Sequence, residues 1–362
     1  MTLPRRGLLI GAAAAIGVGG AGWVGWRQMG TARDMADLAA RQRMALPSTP
    51  LTRDLIRYAT LAANGHNTQG WRFRETAAGI DILPDLSRRT PVVDPDDHHL
   101  FVSLGCAAEN LSLAMAAQGR GGEVTITADG SVLVAYGTDH SPDTSLFDAI
   151  PLRQSTRSDY DANPVSPADL ALLQSATLSG VNLALLTDRA QIARLGDLVV
   201  AANTAQMADP AFVAELKHWL RFSPNTAMTT GDGLYSAASG NPALPDWLGP
   251  RLFDMVFSAK SENAKYARQI ASSSGIAVFV GAGASPAQWV QVGRACQRFA
   301  LQATALGLKL AFLNQPAEVP AFRAELAALA GLPGRRPDIV MRFGRAAAMP
   351  FSVRRPVEAV MA

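Results

Sequence analysis

The clearest pattern of apolar and polar positions along the chain is a helical one that occurs twice. Leu104–Gly119 and Val292–Gly307 are rich in alanine and carry apolar residues at the spacing of a helix. Both stretches end in glycine, which commonly stops a helix. Each is followed, after a short interval, by a predicted strand that ends in an aromatic residue and a glycine, Val132–Gly137 and Asp338–Gly344. The pattern therefore predicts two helix-and-strand units.

The two helical stretches are similar in sequence as well as in pattern. Aligned without gaps, they share the pairs Gly105/Gly293, Ala107/Ala295, Leu113/Leu301, Ala117/Ala305 and Gly119/Gly307. We interpret this similarity as an internal duplication of an α+β unit. The small residues on one face favour a close approach of the two helices. The alternative is that two alanine-rich core helices resemble each other by composition alone.

The remaining patterns divide the body of the chain into two halves. Residues 31–50 form a short helical or linker segment that ends in a cluster of Pro, Ser and Thr. Residues 51–149 form the first half. The polar, proline-containing stretch Ile150–Leu170 opens the second half, which we assign to residues 150–362.

One part of the second half has the composition of a long loop. Residues 222–250 are rich in Gly, Pro, Ser and Thr. A loop of this length within a compact domain is usually functional or mobile. We therefore predict that residues 222–250 form a lid-like loop or a loose insertion.

The first thirty residues differ from the rest of the chain in charge. They hold Arg5, Arg6 and Arg27 and no acidic residue, so that 30 of the 33 basic residues remain to balance the 30 acidic ones. The net charge of +3 therefore belongs to this leader. The body is formally neutral and gives no signal for nucleic-acid binding.

The leader, residues 1–30, has the features of an export signal. Arg5-Arg6-Gly7-Leu8-Leu9 resembles the twin-arginine signal, which the bacterial machinery for exporting folded proteins reads. The uncharged stretch that follows is long enough to cross a bilayer. We therefore expect export to the periplasm, either with cleavage or with retention as an anchor on the outer face of the inner membrane. The alternative is an uncleaved apolar N-terminal helix.

The sequence motifs give little support to metal, thiol or hydrolase chemistry. Cys106 and Cys296 lie in helical patterns, so we expect buried free thiols rather than a disulfide or a metal site. His98 and His99 are adjacent and do not share a helix face, so a surface turn or a helix cap is favoured for Asp94–Leu100 and no metal is predicted. The sequence lacks G-x-S-x-G, H-E-x-x-H and C-x-x-C.

A first candidate for binding chemistry is a cluster of basic and hydroxyl side chains. Arg153, Ser155 and Arg157 alternate along the chain, which places them on one side of an extended segment. Two guanidinium groups and a hydroxyl on one side can cradle a phosphate, because arginine offers donors in a fixed fork. A second arginine pair, Arg354 and Arg355, lies near the C-terminus. The alternative for these residues is a solvated basic face.

A second candidate is the stretch GHNTQGWRF, Gly65–Phe73. The Asn67 and Gln69 amides offer both donors and acceptors, and the glycines at positions 65 and 70 allow close backbone approach. This combination suits the edge of a planar heterocycle with alternating carbonyl and N–H groups. The alternative is a network that only caps a helix and holds a turn.

Several segments, taken in order, resemble the nitroreductase superfamily, and in particular its single-chain duplicated branch typified by the mycobacterial Acg proteins. The segments are LAANGHNTQGWRF, DPDDHHLFVSLGCAAENLSLAMAAQG, RQSTRSDYD, LGLKLAFLNQPAEV, LAGLPGRRPDIVMRFG and PFSVRRPVEAV, within residues 51–360. Members of the superfamily are FMN-binding α+β proteins, usually homodimers with the flavin at the subunit interface. The resemblance implies FMN as cofactor and a pseudo-dimer in one chain, with two mixed sheets packed with helices.

The resemblance assigns roles to particular residues. Arg153, Ser155 and Arg157 match the family's phosphate and ribityl motif, and Arg354 or Arg355 matches its C-terminal phosphate-binding residue. Ala311, Phe312 and Asn314 match the stretch that passes the reactive N5 edge of the flavin. His66, Asn67 and Gln69 match the motif that a partner subunit contributes in the family. Neither half repeats the motif of the other, so the resemblance implies one composite FMN site in a monomeric chain.

The turn also departs from the family pattern Pro-Ser-Ser-His-Asn-Thr-Gln-Pro-Trp. Ala63-Asn64-Gly65 replaces Pro-Ser-Ser, and Gly70 replaces the second proline. The contacts that the family's serines make to the flavin therefore do not carry over. The resemblance also implies a cover that hinders NAD(P)H, for which residues 222–250 are the candidate.

The expected function is that of an FMN-dependent oxidoreductase that passes hydride through the flavin to a small nitro- or quinone-like acceptor. The flavin supplies the redox chemistry, so no catalytic side chain is named. The alternative is a non-catalytic flavin-binding or FMN-sequestering protein, because a periplasm offers little free NAD(P)H. A structural relative without flavin is a third possibility.

Overall fold

The structure is a computed structural model that describes residues 29–362. The predicted export motif lies outside the described residues. In the described residues, helices and antiparallel sheets form the expected α+β fold.

Residues 29–149, which include the segment 31–50 and the first half, contain four helices and four strands. In chain order they are α1 (Ala32–Gln42), α2 (Thr52–Thr60), β1 (Trp71–Glu75), β2 (Gly79–Pro84), α3 (His98–Ala117), β3 (Val124–Ile126), β4 (Val132–Ala135) and α4 (Ser145–Ala149). A single 3-10 turn, Gly65–Asn67, joins α2 to β1. This turn contains the start of the H-N-T-Q motif.

The second half is larger. In chain order it contains α5 (Pro167–Ser175), β5 (Val181–Leu186), α6 (Arg189–Met207), α7 (Pro210–Trp219), β6 (Leu220–Arg221), α8 (Pro224–Thr230), β7 (Leu234–Tyr235), α9 (Gly249–Val256), α10 (Ala259–Ala271), β8 (Gly275–Gly281), α11 (Pro286–Ala305), β9 (Lys309–Phe312), α12 (Gln315–Glu318), α13 (Arg323–Leu329) and β10 (Ile339–Gly344). Its N-terminal helix α5 begins with the Ser166 hydroxyl accepting a hydrogen bond from the Asp169 N–H, as a Ser-Pro start predicts.

Each half builds one four-stranded antiparallel sheet, and the two sheets share one strand order. The orders are β1-β2-β4-β3 and β5-β8-β10-β9, so in each sheet the fourth strand lies between the second and the third. A long helix, α3 or α11, connects the second strand to the third in both. Parallel bridges extend the outer strands, from Met361 to Phe73 and from Ser155 to Leu310, so both sheets are mixed at one edge.

Helices α3 and α11 pack against each other in the centre of the molecule, and one apolar core includes both. Helix α3 is long and apolar enough to span a membrane, but most of it is buried inside the protein. The fully buried Glu109 carboxylate joins the two helices, because it pairs with Arg294 at 3.2 Å and with Arg298 at 2.7 Å. The two halves therefore share a core rather than forming separate domains.

Residues 222–257 cover one side of this body, and we call them the cover segment. The part predicted as a lid-like loop or loose insertion, 222–250, contains helix α8, strand β7 and the start of α9. The Ser223 hydroxyl caps α8 by accepting from the Thr226 N–H, and Gly231 ends α8 with a φ of 65°. The abundance of Ser, Pro and Gly thus marks helix ends here, which is why the composition resembled that of a loop.

The C-terminal tail, residues 345–362, crosses from the second half to the first. The Phe73 N–H donates to the Val360 carbonyl at 2.8 Å, and the Ala362 N–H donates to the Phe73 carbonyl at 2.8 Å. This pairing lays the tail along the outer edge of β1. The arginine pair at 354–355 is thereby brought beside the H-N-T-Q turn of the first half.

Candidate functional site

One cavity of about 570 Å³ is lined by both halves of the chain. The first half contributes Ala63, Asn64, Gly65 and His66 from the turn after α2, and Val102, Ser103 and Cys106 from α3. The second half contributes Arg157, Ala311, Phe312, Asn314 and Glu318, together with apolar residues of the cover segment such as Phe222, Leu244 and Phe253. The cavity is therefore a composite site between the two halves.

The predicted site residues divide into two groups. The structure brings His66, Arg157, Ala311, Phe312 and Asn314 together on the wall of this cavity. The other group does not line the cavity; its members are Asn67, Gln69, Arg153, Ser155, Arg354 and Arg355. Within residues 29–362, the side chains of all of them except Ser155 donate hydrogen bonds to other parts of the chain.

The H-N-T-Q turn has an unusual backbone. His66, Asn67 and Gln69 have φ angles of 48°, 56° and 54°, in the left-handed region that non-glycine residues rarely adopt. Each such residue costs on the order of 1 kcal/mol or more, so surrounding contacts must hold the turn in place. The Asn64 side-chain oxygen provides one of these contacts, because it accepts from the Gln69 N–H at 3.0 Å.

The Asn67 amide fastens the turn to distant parts of the chain. Its nitrogen donates to the carbonyl of Gly233 at 3.0 Å and to that of Val353 at 3.2 Å. Its oxygen accepts from Arg354 Nη1 at 2.9 Å. Both donors and an acceptor of this buried amide are thus used inside the protein.

The Gln69 amide has the same arrangement. Its nitrogen donates to the Gly231 carbonyl at 2.9 Å, and its oxygen accepts from the Arg355 N–H at 2.9 Å. The two amides therefore join the turn to the C-terminal tail and to the loop between α8 and β7. Arg355 itself is partly exposed, and its Nη2 donates to the Ala359 carbonyl.

His66 points into the cavity as a neutral imidazole. Burial, as the main cause, and the positive charge of Arg157 together lower its pKa to about 4. The imidazole is therefore uncharged at neutral pH. It offers one donor and one acceptor to a ligand.

Arg157 is the least compensated charge on the cavity wall. Among residues 29–362, its guanidinium takes part in no hydrogen bond and no ion pair, although its backbone carbonyl accepts from Gln269 Nε2 at 2.8 Å. Burial lowers the pKa of this guanidinium, while Tyr266 and Tyr160 oppose the change slightly. A buried cation without a counter-charge is costly unless a ligand supplies one.

Arg153 and Arg354 meet at the C-terminal end of α2. Arg153 Nη2 donates to the Leu61 carbonyl at 3.0 Å, and Arg354 Nε donates to the Thr60 carbonyl at 2.7 Å. The Nε and Nη1 atoms of Arg153 are buried without a partner. Burial lowers the pKa of both guanidinium groups. Ser155, the third predicted member, lies beside strand β9 through its bridge to Leu310.

A further polar pair on the cavity wall was missed by sequence reasoning. His99 Nδ1 lies 3.6 Å from Glu318 Oε1, and His99 Nε2 lies 3.2 Å from the Asp338 carbonyl, so Nε2 carries a proton. Gln206 donates to Glu318 Oε2 at 2.6 Å. Burial raises the pKa of the Glu318 carboxyl, although the His99 charge opposes this effect.

The only sequence signal for this pair was the D-P-D-D-H-H-L stretch. Its Asp94 carboxylate accepts from the N–H groups of His99 and Leu100, each at 3.0 Å, and so caps the start of α3. The stretch thus acts as a helix cap, which is one of the two alternatives to a metal site that its sequence favoured. No group of three or more potential metal ligands occurs among residues 29–362. Both cysteines are buried free thiols, as expected.

One known protein family matches slightly more than half of the chain. The profile of the group described as "Nitroreductase family" matches residues 150–345. Two curated relatives from strains of Mycobacterium tuberculosis, each described as "Putative NAD(P)H nitroreductase", are 24% identical over 310 residues, which cover 82% of this chain and 86% of theirs.

Solved structures with a similar fold cover part of the chain. An FMN-dependent nitroreductase from Mycobacterium smegmatis in complex with NADPH is 14% identical, covers 60% of this chain and 91% of its own, and has a TM-score of 0.37. A nitroreductase with bound FMN from Desulfitobacterium hafniense is 14% identical, with 57% and 93% coverage and a TM-score of 0.35.

Proposed function

Since the chain belongs to the nitroreductase family, we propose that it is an FMN-binding oxidoreductase of the nitroreductase type. The observation that carries this proposal is the composite cavity. It joins the His66 turn of the first half to Arg157 and to the β9 segment 311–314 of the second, with an uncompensated guanidinium on its wall.

The residues present fit this cofactor. An FMN molecule has a planar ring with polar edges and a doubly charged phosphate. The ring would be held between the Ala63–His66 turn and the segment 311–314, with Arg157 available to a carbonyl edge. The phosphate would be held by Arg153 and Arg354, because Arg153 has two buried N–H groups without a partner.

The proposed chemistry is that of the flavin, which takes two electrons from a reduced donor and passes them to a small nitro- or quinone-like acceptor. The protein binds and orients the reactants. Phe222, Leu244 and Phe253 of the cover segment add apolar surface to the cavity wall, which would limit the water around a bound flavin. The adjacent Glu318 carboxyl and His99 imidazole can hold a proton at the cavity wall, which reduction of such an acceptor consumes.

A second candidate function is FMN binding without turnover, and the cover segment favours it. Leu252, Phe253, Val256 and Phe257 line the cavity with apolar side chains, which would hinder a nicotinamide from reaching a bound flavin. A protein with this cover would retain its flavin and exclude NAD(P)H. The two functions share one cofactor site and differ in access to it.

A spectroscopic experiment separates the two functions. The purified protein, reconstituted with FMN and made anaerobic, is mixed with NADPH and then with dithionite while the visible spectrum is recorded. Bleaching by NADPH followed by recovery with a nitroaromatic or quinone supports the oxidoreductase. Bleaching by dithionite alone supports flavin retention. Protein that stays colourless after reconstitution contradicts the cofactor assignment.

We also infer an internal duplication of the Acg-like type, with one FMN per monomeric chain. The shared strand order of the two sheets and the equivalent positions of α3 and α11 support it. Light scattering combined with flavin quantitation tests the inference. A monomer with one flavin agrees with it, whereas two flavins per chain contradict the assignment of one composite site.

The export interpretation remains a proposal that rests on the sequence of residues 1–30. We propose export by the twin-arginine machinery to the periplasm, with or without retention in the membrane. Replacement of both arginines, Arg5→Lys with Arg6→Lys, should leave the protein in the cytoplasm of an expressing bacterium. Unchanged export of this double variant would contradict the proposal. Washing the membrane fraction with carbonate distinguishes an anchored from a released form.

A further inference from the structure

Arg43 is a third guanidinium beside Arg153 and Arg354, and it comes from outside the nitroreductase-matching part of the chain. It follows helix α1, whose last residue is Gln42, in the segment predicted as a linker. Arg43 Nη2 donates to the Ser352 carbonyl at 3.1 Å, and its guanidinium lies 4.1 Å from the centre of the Phe351 ring. These contacts turn the side chain toward the C-terminal tail.

Helix α1 is fixed on the tail at the residue next to Arg43. The side-chain oxygen of Gln42 accepts from the Arg354 N–H at 2.8 Å, and its nitrogen donates to the Arg354 carbonyl at 2.7 Å. A paired hydrogen bond of this kind sets the register of α1 against residue 354. The position of Arg43 is therefore specified by the fold and is not an incidental surface contact.

The three guanidinium groups lie close enough to repel one another. Burial and the charge of Arg153 lower the pKa of Arg43 to about 9. Burial lowers the pKa of Arg354 well below its usual value, and the charges of Arg43 and Arg153 add to this effect. Within residues 29–362, none of the three forms an ion pair with a carboxylate.

The protein compensates only part of this charge. The carbonyl groups at the end of α2 accept hydrogen bonds from Arg153 and Arg354, and a helix C-terminus carries about half a negative charge. Of the three positive charges, about 2.5 therefore remain without a counter-charge. Buried N–H groups also remain without partners, namely Nε of Arg43 and both Nε and Nη1 of Arg153. Together they are donors and charge for an anion.

We propose that Arg43 completes an anion site with Arg153 and Arg354 that takes a phosphate monoester, the phosphate end of FMN. The proposal rests on the proposed function for the identity of the ligand, and it extends the binding site to a part of the chain that precedes the nitroreductase fold. Helix α1 then acts as a clasp on the site. Arg43, directly after the helix, supplies the third guanidinium, and Gln42 bonds the end of the helix to the tail. The segment 31–50 is a component of the site rather than a linker.

The substitution Arg43→Gln tests the proposal, since glutamine keeps some length and polarity but removes the charge. Arg41→Gln is the matched control, because Arg41 lies in the last turn of the same helix and is exposed. Binding of FMN and of riboflavin to the apoprotein is measured by flavin fluorescence. We expect Arg43→Gln to weaken FMN binding at least tenfold, about 1.4 kcal/mol, and to leave riboflavin binding unchanged. The control should change neither.

Two results would overturn the proposal. One is unchanged FMN affinity in Arg43→Gln. The other is an equal loss for FMN and riboflavin, which would make Arg43 a structural contact of the clasp and not a phosphate ligand. If Arg43→Gln fails to fold, Arg43→Lys replaces it. Lysine keeps the charge but loses the forked donors of arginine, so FMN binding should weaken while riboflavin binding stays unchanged.

A flavin-free measurement distinguishes failure of this proposal from failure of the proposed function. The melting temperature of the apoprotein is followed against inorganic phosphate at constant ionic strength. A rise that Arg43→Gln abolishes and Arg41→Gln retains supports the anion site even if wild-type protein does not bind FMN. An equal response in all three proteins contradicts it.

Discussion

Gly105 of α3 and Gly293 of α11 lie at the point where the two central helices are closest. A Cβ atom on Gly293 would lie 3.0 Å from the Cα of Gly105 and 2.0 Å from the Val102 carbonyl oxygen, and one on Gly105 would lie 1.9 Å from the Val290 carbonyl oxygen. Backbone therefore touches backbone at this crossing. The two residues occupy equivalent positions in the ungapped alignment of the two helices.

The substitution Gly105→Ala should strongly destabilise the protein. Alanine favours a helix over glycine by about 1 kcal/mol, but the added methyl group meets a backbone oxygen that cannot move without separating the helices. We expect the free energy of unfolding to fall by about 3 kcal/mol, measured by urea unfolding. Gly283→Ala is the control, because the nearest atom would be 3.9 Å away, and it should change little. Equal stability of the two variants would contradict the close crossing.

The sequence predicted this crossing because the small residues of both helices are local features of each stretch. It could not predict where the Asn67 and Gln69 amides bind. Their partners lie 162 to 287 residues further along the chain, at 231–233 and 353–355. The residues of a turn can be predicted from the local sequence, whereas the partner of a buried amide depends on which distant segment packs over it.

The same limit applies to the cavity. Arg157 and the segment 311–314 were predicted from motif resemblance, and both line the cavity. The pairing of His99 with Glu318 had no signal beyond the D-P-D-D-H-H-L stretch that contains His99, because the two residues come from separate elements of the fold. The helices of the cover segment were not predicted for another reason, since their capping residues have the composition of a loop.

Arg157→Gln should have opposite effects on stability and on cofactor binding. Removal of a buried cation that has no partner should raise the free energy of unfolding of the apoprotein by about 1 kcal/mol. Loss of a charge-assisted contact should weaken FMN binding by about 2 kcal/mol. Urea unfolding of the apoprotein and flavin fluorescence titration measure the two effects. Arg194→Gln, at an exposed position, should produce neither. A less stable apoprotein with unchanged FMN affinity would make Arg157 a structural residue.

His66→Asn should reduce the acid sensitivity of the protein. The pKa of His66 is about 4 in the folded protein and about 6.5 in the unfolded chain. The unfolded state therefore binds the proton first, and stability is lost as pH falls from about 6.5 to 4. One pKa unit corresponds to about 1.4 kcal/mol, so the loss at pH 4.5 is roughly 2–3 kcal/mol. Asparagine suits the left-handed backbone at this position.

Urea unfolding at pH 7 and pH 4.5 measures this effect as the difference between the two pH values. The difference should be smaller in His66→Asn than in the wild type by about 2 kcal/mol. His140→Asn, at an exposed histidine, provides the control and should leave the difference unchanged. If His66→Asn loses as much stability on acidification as the wild type, the imidazole is not the group that titrates.

Asn67 allows a test of whether the H-N-T-Q motif binds a ligand or holds the fold. Asn67→Ala removes the bonds to Gly233, Val353 and Arg354 and also places a Cβ-bearing, non-polar residue at a φ of 56°. We expect a loss of about 3 kcal/mol in the free energy of unfolding. The C-terminal tail should also become sensitive to trypsin after Arg354, because the turn no longer holds it; the bond after Arg355 precedes Pro356 and resists trypsin.

Asn67→Gly separates the two contributions to this loss. Glycine adopts the left-handed backbone without strain, so the remaining destabilisation measures the hydrogen bonds of the amide. Asn67→Asp keeps an acceptor for Arg354 but loses both donors, and it should fall between the wild type and Asn67→Gly. If the motif instead contacts the flavin directly, these variants will shift the visible spectrum of the bound cofactor while stability and tail proteolysis stay unchanged. That outcome would contradict the structural role of the Asn67 amide.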